Sequence, residues 1–476
     1  MNNELKEITK RDVDFAKWYT DVVKKADLVD YSSVKGSMII RPYGYAIWEN
    51  MQKMLDNKFK ETGHENLQMP MFIPESLLQK EKDHVEGFAP EVAWVTHGGK
   101  EKLEERMCVR PTSETLFCEH FKKIISSYRD LPLLYNQWCT IVRWEKTTRP
   151  FLRTREILWQ EGHTMHATKE AAVNETLKML KIYEDFHKNV LAVPVITGKK
   201  TDKEKFAGAE DTYSVEAMMY DGVALQSATS HYFGQGFANA FDIKFLNKDN
   251  KLEAPYQTSW GCTTRMIGEI IMVHSDDRGL VLPPRIAPIK VNIIPIGDSD
   301  EIINVLNAIK RDLDESNITY KVDNSNKTPG FKFAESEVKG YPIRIEIGKR
   351  DLAEGFVTIV RRDTLEKVKV QPDEATLKVN ELLINIQNDM YEKALKRRDE
   401  MMYNAMSKEE FEEDVKKPGF TFANWCGDEA CELKIKDEYG VKTRCIPFDN
   451  SNPDGDKKCV CCGKDATTKI YFAKQY

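Results

Sequence analysis

Residues 139–163, CTIVRWEKTTRPFLRTREILWQEGH, constrain the fold more than any other stretch of the chain. Thr140, Ile141 and Val142 favour β-structure, and the run continues through Arg143, Trp144 and Glu145. Residues 146–150 read as a polar, proline-ended turn, and a second extended run returns over 151–159. The spacing predicts two antiparallel strands that hold Arg143, Glu145, Arg153 and Arg155 near one another, because side chains two apart share a face of a strand. Three guanidiniums and a carboxylate do not make a core. They fit either a solvated hairpin with cross-strand ion pairs or a site for an anion, since arginine grips phosphate oxygens in bidentate fashion.

At 476 residues the chain exceeds what one core organises, so two or three domains are expected. The stretch 281–288, VLPPRIAP, reads as a joint, because three prolines leave little room for a helix. After it the pattern changes to apolar strands alternating with helices, which predicts an α/β sheet of mixed direction. Its basic residues Lys332, Arg344, Lys349, Arg350, Arg361 and Arg362 suit an RNA backbone, or are ordinary surface charge. Residues 396–417 read as a charged helical connector. Upstream, residues 45–62 have the spacing of a long helix closed by Gly63, followed by a strand over 66–72 that contains Pro70.

Cysteine is unevenly used. Cys108, Cys118, Cys139 and Cys262 lie without ligand spacing and are expected to be small buried hydrophobes, whereas six of the ten cysteines fall after residue 425. Cys426-x4-Cys431 and Cys459-x2-Cys462 fit a tetrahedral four-cysteine zinc site, with Cys461 an alternative to Cys459 or Cys462. No apolar run approaches the roughly 20 residues that span a bilayer, and the N-terminus is charged, so a cytoplasmic protein with no membrane partner is expected. A net charge of −6 argues against indiscriminate nucleic-acid binding and leaves room for a shape-specific RNA partner.

The pattern R-x-E at 143–145 followed by R-T-R-E-x-L-W-Q-E-G-H at 153–163 resembles motif 2 of the class II aminoacyl-tRNA synthetases. S-W-G-C-T-T-R at 259–265 resembles motif 3, and the helix leading to Pro70 resembles motif 1. R-P-T-S-E at 110–114, F-A-P-E-V-A-W-V-T at 88–96 and T-S-H at 229–231 are similar to prolyl-tRNA synthetase, in its short archaeal- and eukaryote-like form. The resemblance covers nearly the whole chain. It implies an α+β multidomain protein: a class II antiparallel-sheet catalytic domain over 1–284, an α/β anticodon-binding domain over 285–395 and a small α+β zinc-binding domain over 396–476. It also implies a homodimer and no editing domain between motifs 2 and 3.

By the same resemblance the substrates are ATP, with Mg²⁺, L-proline and tRNA(Pro), and zinc is structural. Arg143, Glu145 and Arg265 would be the catalytic group. Thr112 and Glu114 would hold the ammonium of proline, Arg143 its carboxylate, and Phe88, Pro111, Trp159 and His231 would wall its ring. Arg143, Glu145, Arg153, Thr154, Gln226, Thr229, Thr263 and Arg265 would bind ATP, with Gln226 also near the magnesium. One departure stands out: relatives carry phenylalanine where this chain has Ile157, opposite Arg265, which removes one aromatic face from the adenine site. The family ends in a tyrosine directed at the active site, matched by Tyr476. Two alternatives remain: another class II specificity, such as the threonyl enzyme, and a non-catalytic RNA-binding paralogue.

Overall fold

The structure, a computed structural model, describes residues 8–84 and 91–476; Phe88 lies outside the described residues. An eight-stranded sheet forms the centre. Its order is Ile446–Pro447, Val195–Lys199, Asp211–Met218, Ala224–Gly234, Tyr256–Thr263, Glu156–His166, Leu133–Val142 and Glu65–Asn66. All neighbours are antiparallel except the last pair. The helix Lys169–Phe186 covers one face, started by Thr168, whose hydroxyl accepts from the Ala171 amide. The helix Pro42–Glu61 begins on proline, which lacks only an amide that would be unpaired there, and buries Ile47, Met51, Leu55 and Phe59. Between motif 2 and motif 3 strands the packing is close: a methyl group on Gly162 would lie 2.1 Å from the Trp260 ring.

Two local expectations fail for physical reasons. The strand over 66–72 is broken into Glu65–Asn66 and Phe72–Pro74, because Pro70 has no amide to give a ladder. Arg110 instead donates to the carbonyls of Met69 and Pro70, at 2.8 and 3.2 Å. The motif 2 strands are Leu133–Val142 and Glu156–His166, so the connection is longer than the residues 146–150 expected. Phe151 takes φ +59° and Arg149 pairs with Arg153, which makes a second turn where an extended run was expected.

The second sheet has the order Tyr320–Val322, Val291–Ile296, Ile343–Gly348, Val357–Arg361 and Lys367–Val370, parallel across the first three strands and antiparallel after. Of its six basic candidates, Lys349 and Arg350 are exposed, whereas Lys332, Arg344, Arg361 and Arg362 are buried in structural contacts. Arg362 forks onto Asp276 of the first unit at 2.6 and 2.9 Å. The helix Ala375–Glu400 runs on past 395, and in place of a helical connector the chain forms the strand Met402–Ala405 and the short helix Lys408–Asp414. A four-stranded sheet, Met402–Ala405, Phe420–Trp425, Thr468–Ala473 and Lys442–Thr443, builds the last unit.

Candidate active site

The central sheet carries a cleft of about 230 Å³ on the face away from Lys169–Phe186. At one end Glu114 opens the helix Glu114–Ile124, and a carboxylate in a first turn faces the positive end of the helix. Thr112 Oγ1 donates to Glu114 Oε2 at 2.5 Å, and Ser259 Oγ donates to Oε1 at 3.4 Å. Both Thr112 and Glu114 are buried, yet among the described residues no protein cation forms an ion pair with Glu114. A buried carboxylate without a salt-bridge partner asks for a cation from outside.

Arg143 stands between the two ends. Its Nε donates to the Pro111 carbonyl at 3.2 Å, and its guanidinium lies 5.4 Å over the Trp159 ring. Burial pulls the Arg143 pKa down, while the charges of Glu114, Glu145 and Glu161 push it back up. Trp159 is fixed in turn by its indole N–H, 3.1 Å from Cys139 Sγ. Cys108, Cys118 and Cys262 are buried as expected; Cys139 is half-buried.

His231 lines the same end. The Thr212 hydroxyl accepts from the Phe206 amide at 2.9 Å, so its proton is free to point at His231 Nδ1, 3.0 Å away. Burial, and then the nearby His163, push the His231 pKa down to about 3, so the ring is neutral at physiological pH. Phe206 packs against it at 4.8 Å.

At the other end Arg265 starts the helix Arg265–His274, with its amide held by Thr263 Oγ1 at 3.0 Å. Its guanidinium donates to the carbonyls of Leu152 at 3.2 Å and Gln226 at 3.0 Å. Burial, followed by Arg143 and Arg153, lowers its pKa to about 10, so it stays a cation among cations. Thr154, Ile157, Gln226 and Thr229 line the cleft beside it. Arg153 lies in an adjoining cavity of about 390 Å³ shared with Arg149, Arg265 and Tyr476. Tyr476 is docked there by its hydroxyl, which donates to Asp221 at 2.5 Å.

The cleft thus brings together Thr112, Glu114, Arg143, Thr154, Trp159, Gln226, Thr229, His231, Thr263 and Arg265. Glu145 does not line it but acts on Arg143 and Arg265 through its charge. Pro111 contributes its carbonyl behind Arg143 instead of its ring. Arg155 turns away and stacks on Trp144 at 4.2 Å. Sequence reasoning missed Glu161, which lines the cleft while accepting from Ser113 and Gln137 at 2.5 Å each and meeting His163 at 2.9 Å. It also missed Phe206, Thr212 and Ser259. The alternation of motif 3 put Ser259 on the face of Gly261 and Thr263, a signal that was available.

The sulfurs of Cys426, Cys431, Cys459 and Cys462 all lie within 4.8 Å of one another, with Cys426 3.6 Å from Cys431 and 3.8 Å from Cys462. Zinc–sulfur bonds of about 2.3 Å in a tetrahedron require edges of roughly 3.8 Å, so the donor set fits Zn²⁺. Cys461 is outside this set. Cys445 is buried in the core.

Comparison with known proteins agrees in every part of the chain. Residues 94–274 match the family model "tRNA synthetase class II core domain (G, H, P, S and T)", residues 290–382 "Anticodon binding domain" and residues 408–476 "Prolyl-tRNA synthetase, C-terminal". The proline–tRNA ligase of Clostridium novyi is 60% identical over 471 residues, covering 98% of each chain. Proline–tRNA ligase 2 of Bacillus thuringiensis subsp. konkukian is 58% identical over 475 residues, 99% of each. The crystal structure of prolyl-tRNA synthetase from Cryptosporidium parvum, complexed with halofuginone and AMPPNP, superimposes with a TM-score of 0.95 at 40% identity, covering 99% of this chain and 100% of that one.

Proposed function

The chain belongs to the class II prolyl-tRNA synthetases and joins L-proline to tRNA(Pro) through prolyl-adenylate, and from that premise we propose that its residues divide the reaction between the two ends of the cleft. Glu114 and Thr112 take the two N–H groups of proline's secondary ammonium. Trp159 and His231 wall the ring, with Phe206 behind, and the neutral imidazole adds no charge to repel that ammonium. Arg143 holds both the carboxylate of proline and the α-phosphate of ATP. A carboxylate oxygen attacks the α-phosphorus, the bond to the β-phosphate oxygen breaks, and pyrophosphate leaves with its charge taken up by Arg265 and Arg153. The terminal ribose hydroxyl of the tRNA then attacks the prolyl carbonyl and AMP departs. No side chain becomes a nucleophile; orientation and fixed positive charge carry the rate.

Mg²⁺ would enter with the nucleotide, and its charge would offset that of the phosphates. Gln226 is the group offered, and Glu145 acts by fixing the guanidiniums on either side of it. Zinc, when bound by Cys426, Cys431, Cys459 and Cys462, supplies structure alone.

The proposed domain division is 1–284, 285–395 and 396–476, with the helix Ala375–Glu400 carried across the second boundary. The segment between motifs 2 and 3 builds strands of the central sheet, which supports the short architecture without an insertion. A homodimer accounts for the exposed Tyr31, Val34, Ile39, Tyr45, Met71 and Phe72, which lie in and on either side of the motif 1 stretch, and a sedimentation mass of one chain would exclude it. No helix among the described residues is long and apolar enough to cross a membrane, in keeping with work in the cytoplasm.

One observation carries the reading: a buried carboxylate without an ion-pair partner and two half-buried guanidiniums share a single cleft. Its test is ATP–pyrophosphate exchange with each of the twenty amino acids. Exchange is expected with proline and lost in Arg143→Ala; exchange driven by another amino acid would break the specificity assignment, and none at all would favour the RNA-binding paralogue.

A further inference from the structure

The nucleotide end of the cleft has a neighbour that comes from the C-terminal domain. Thr212, Ser214 and Glu216 share the cleft-facing side of the strand Asp211–Met218, while Val215 and Ala217 enter the core on the other. Glu216 is paired in register with Gln226, whose carbonyl accepts from Arg265 at 3.0 Å. Its carboxylate is fully buried, and its charge acts on Arg265. Two cations hold it. Lys200 reaches Oε1 at 3.4 Å, where Ser214 also donates at 2.7 Å. Arg444 forks onto Oε2 at 3.0 and 2.6 Å, from a side chain 1% exposed.

Arg444 is in place because the C-terminal domain extends the catalytic sheet. It directly precedes Cys445 and the edge strand Ile446–Pro447, which pairs with Val195–Lys199. The contact leaves no slack, since a Cβ on Gly198 would lie 2.2 Å from the Ile446 carbonyl oxygen. Arg444 also donates to the Gln475 side chain. Without Arg444, Oε2 would lose both donors while remaining dry, and Lys200, 3.4 Å from Oε1, would be the one cation left on the carboxylate. A buried carboxylate oxygen stripped of its partners is costly, and beside Gln226, across the strand pair, stands the Arg265 guanidinium as a replacement partner for it.

We propose that Arg444 is a positioning residue of the nucleotide site: by gripping Glu216 it keeps that carboxylate off Arg265, so that Arg265 meets the phosphates of ATP unpaired. The inference rests on the assignment of Arg265 to the nucleotide and extends it to a residue of the zinc-bearing domain.

The test compares Arg444→Met, Arg444→Lys and the double variant Arg444→Met/Glu216→Gln, which keeps the wild-type net charge around Lys200. ATP affinity is read by titration calorimetry and, separately, as the ATP and proline KM of the exchange reaction. Arg444→Met is expected to weaken ATP binding at least tenfold with the proline KM within twofold of wild type, and the other two variants are expected to recover to within threefold. Equal losses for ATP and proline, or a double variant as poor as Arg444→Met, would overturn the inference. Should Arg444→Met fail to fold, the double variant decides alone: near-normal ATP affinity supports the role and a tenfold loss refutes it. Absence of proline-dependent exchange in the wild-type protein would count against the proposed function, while calorimetry would still test Arg444.

Discussion

Glu114 shows what a single residue contributes here. The helix start, the hydroxyls of Thr112 and Ser259 and burial all prepare it for a cation that the protein does not provide. Replacing Glu114 by Gln keeps the shape and removes the charge. Loss of one partner of a buried, hydrogen-bonded charge pair costs about 2–5 kcal/mol, or roughly thirty-fold at the least. The expected outcome is that loss in kcat/KM for proline, with the ATP KM within about threefold of wild type on the same scale. His231 makes a different prediction, about pH. Its folded pKa of about 3 lies below the unfolded value near 6.5, as do those of His166, at about 4, and His274, at about 3, each chiefly through burial. The unfolded chain therefore binds more protons as pH falls from 6.5 toward 3, and stability drops by up to about 1.4 kcal/mol per pH unit for each ring. His187 runs the other way, its pKa raised because Glu269 outweighs burial, and its stabilisation fades only as pH rises above the unfolded value. Thermal melts from pH 7 to 4 should fall steadily, and His231→Gln should flatten the slope; a slope unchanged by that substitution would contradict the buried neutral ring. Most of these residues were legible as types. What the sequence did not show is which groups close the gaps between them: Glu161 reads as one charge in a charged run until Ser113, Gln137 and His163 are brought to it from elements far apart in sequence.

Elements with strong local signals were legible to within a few residues. The motif 3 helix, Arg265–His274, follows its apolar run, and the helix expected over 45–62 forms as Pro42–Glu61, three residues early because Pro42 takes its first position. The strand with Pro70 and the turn at Phe151 were not, because each depends on where the hydrogen bonds of distant partners fall: the Pro70 carbonyl goes to Arg110, and Arg149 closes on Arg153. The cysteine pairs belong to the legible class, since ligand spacing is itself a local signal. One zinc per chain is expected by elemental analysis, and Cys459→Ser should remove it. Because Cys459 lies in the small apolar core of the last sheet, with Trp425, Ile435 and Phe472, metal loss should melt that core first, visible as an early transition in calorimetry that chelator reproduces. A single unchanged transition after verified zinc removal would argue that the apolar core alone holds the fold.

At the scale of the whole molecule the motif 3 helix is a strut with one end in the chemistry and the other in the joints between domains. Its first residue is Arg265; its last turns give the Val273 carbonyl to Arg397 at 2.8 Å, and just beyond, the Ser275 carbonyl to Arg11 at 2.7 Å and the Asp276 carboxylate to Arg362. Arg397 belongs to the long helix leading to the zinc-bearing domain, and Arg362 to the anticodon-binding sheet; four of the six basic residues there, read as either an RNA-facing set or ordinary surface charge, are instead buried. Composition cannot separate an arginine that faces RNA from one that fastens a domain; only the partner can. The Arg362 side chain is 3% exposed while Asp276 is 36% exposed, so breaking the pair by Arg362→Met leaves a carboxylate that water can still reach, and the cost should fall near the low end of the about 3–5 kcal/mol typical of a broken buried pair. That loss bears on docking of the anticodon domain and leaves the cleft intact. Proline-dependent exchange in Arg362→Met should therefore stay within about threefold of wild type, while charging of tRNA(Pro), which needs both domains in fixed relation, should fall about tenfold or more, equivalent to about 1.4 kcal/mol. If exchange falls in step with charging, the strut transmits the state of the anticodon domain to Arg265, and the two half-reactions are coupled through the helix Arg265–His274, whose first residue alone lines the cleft.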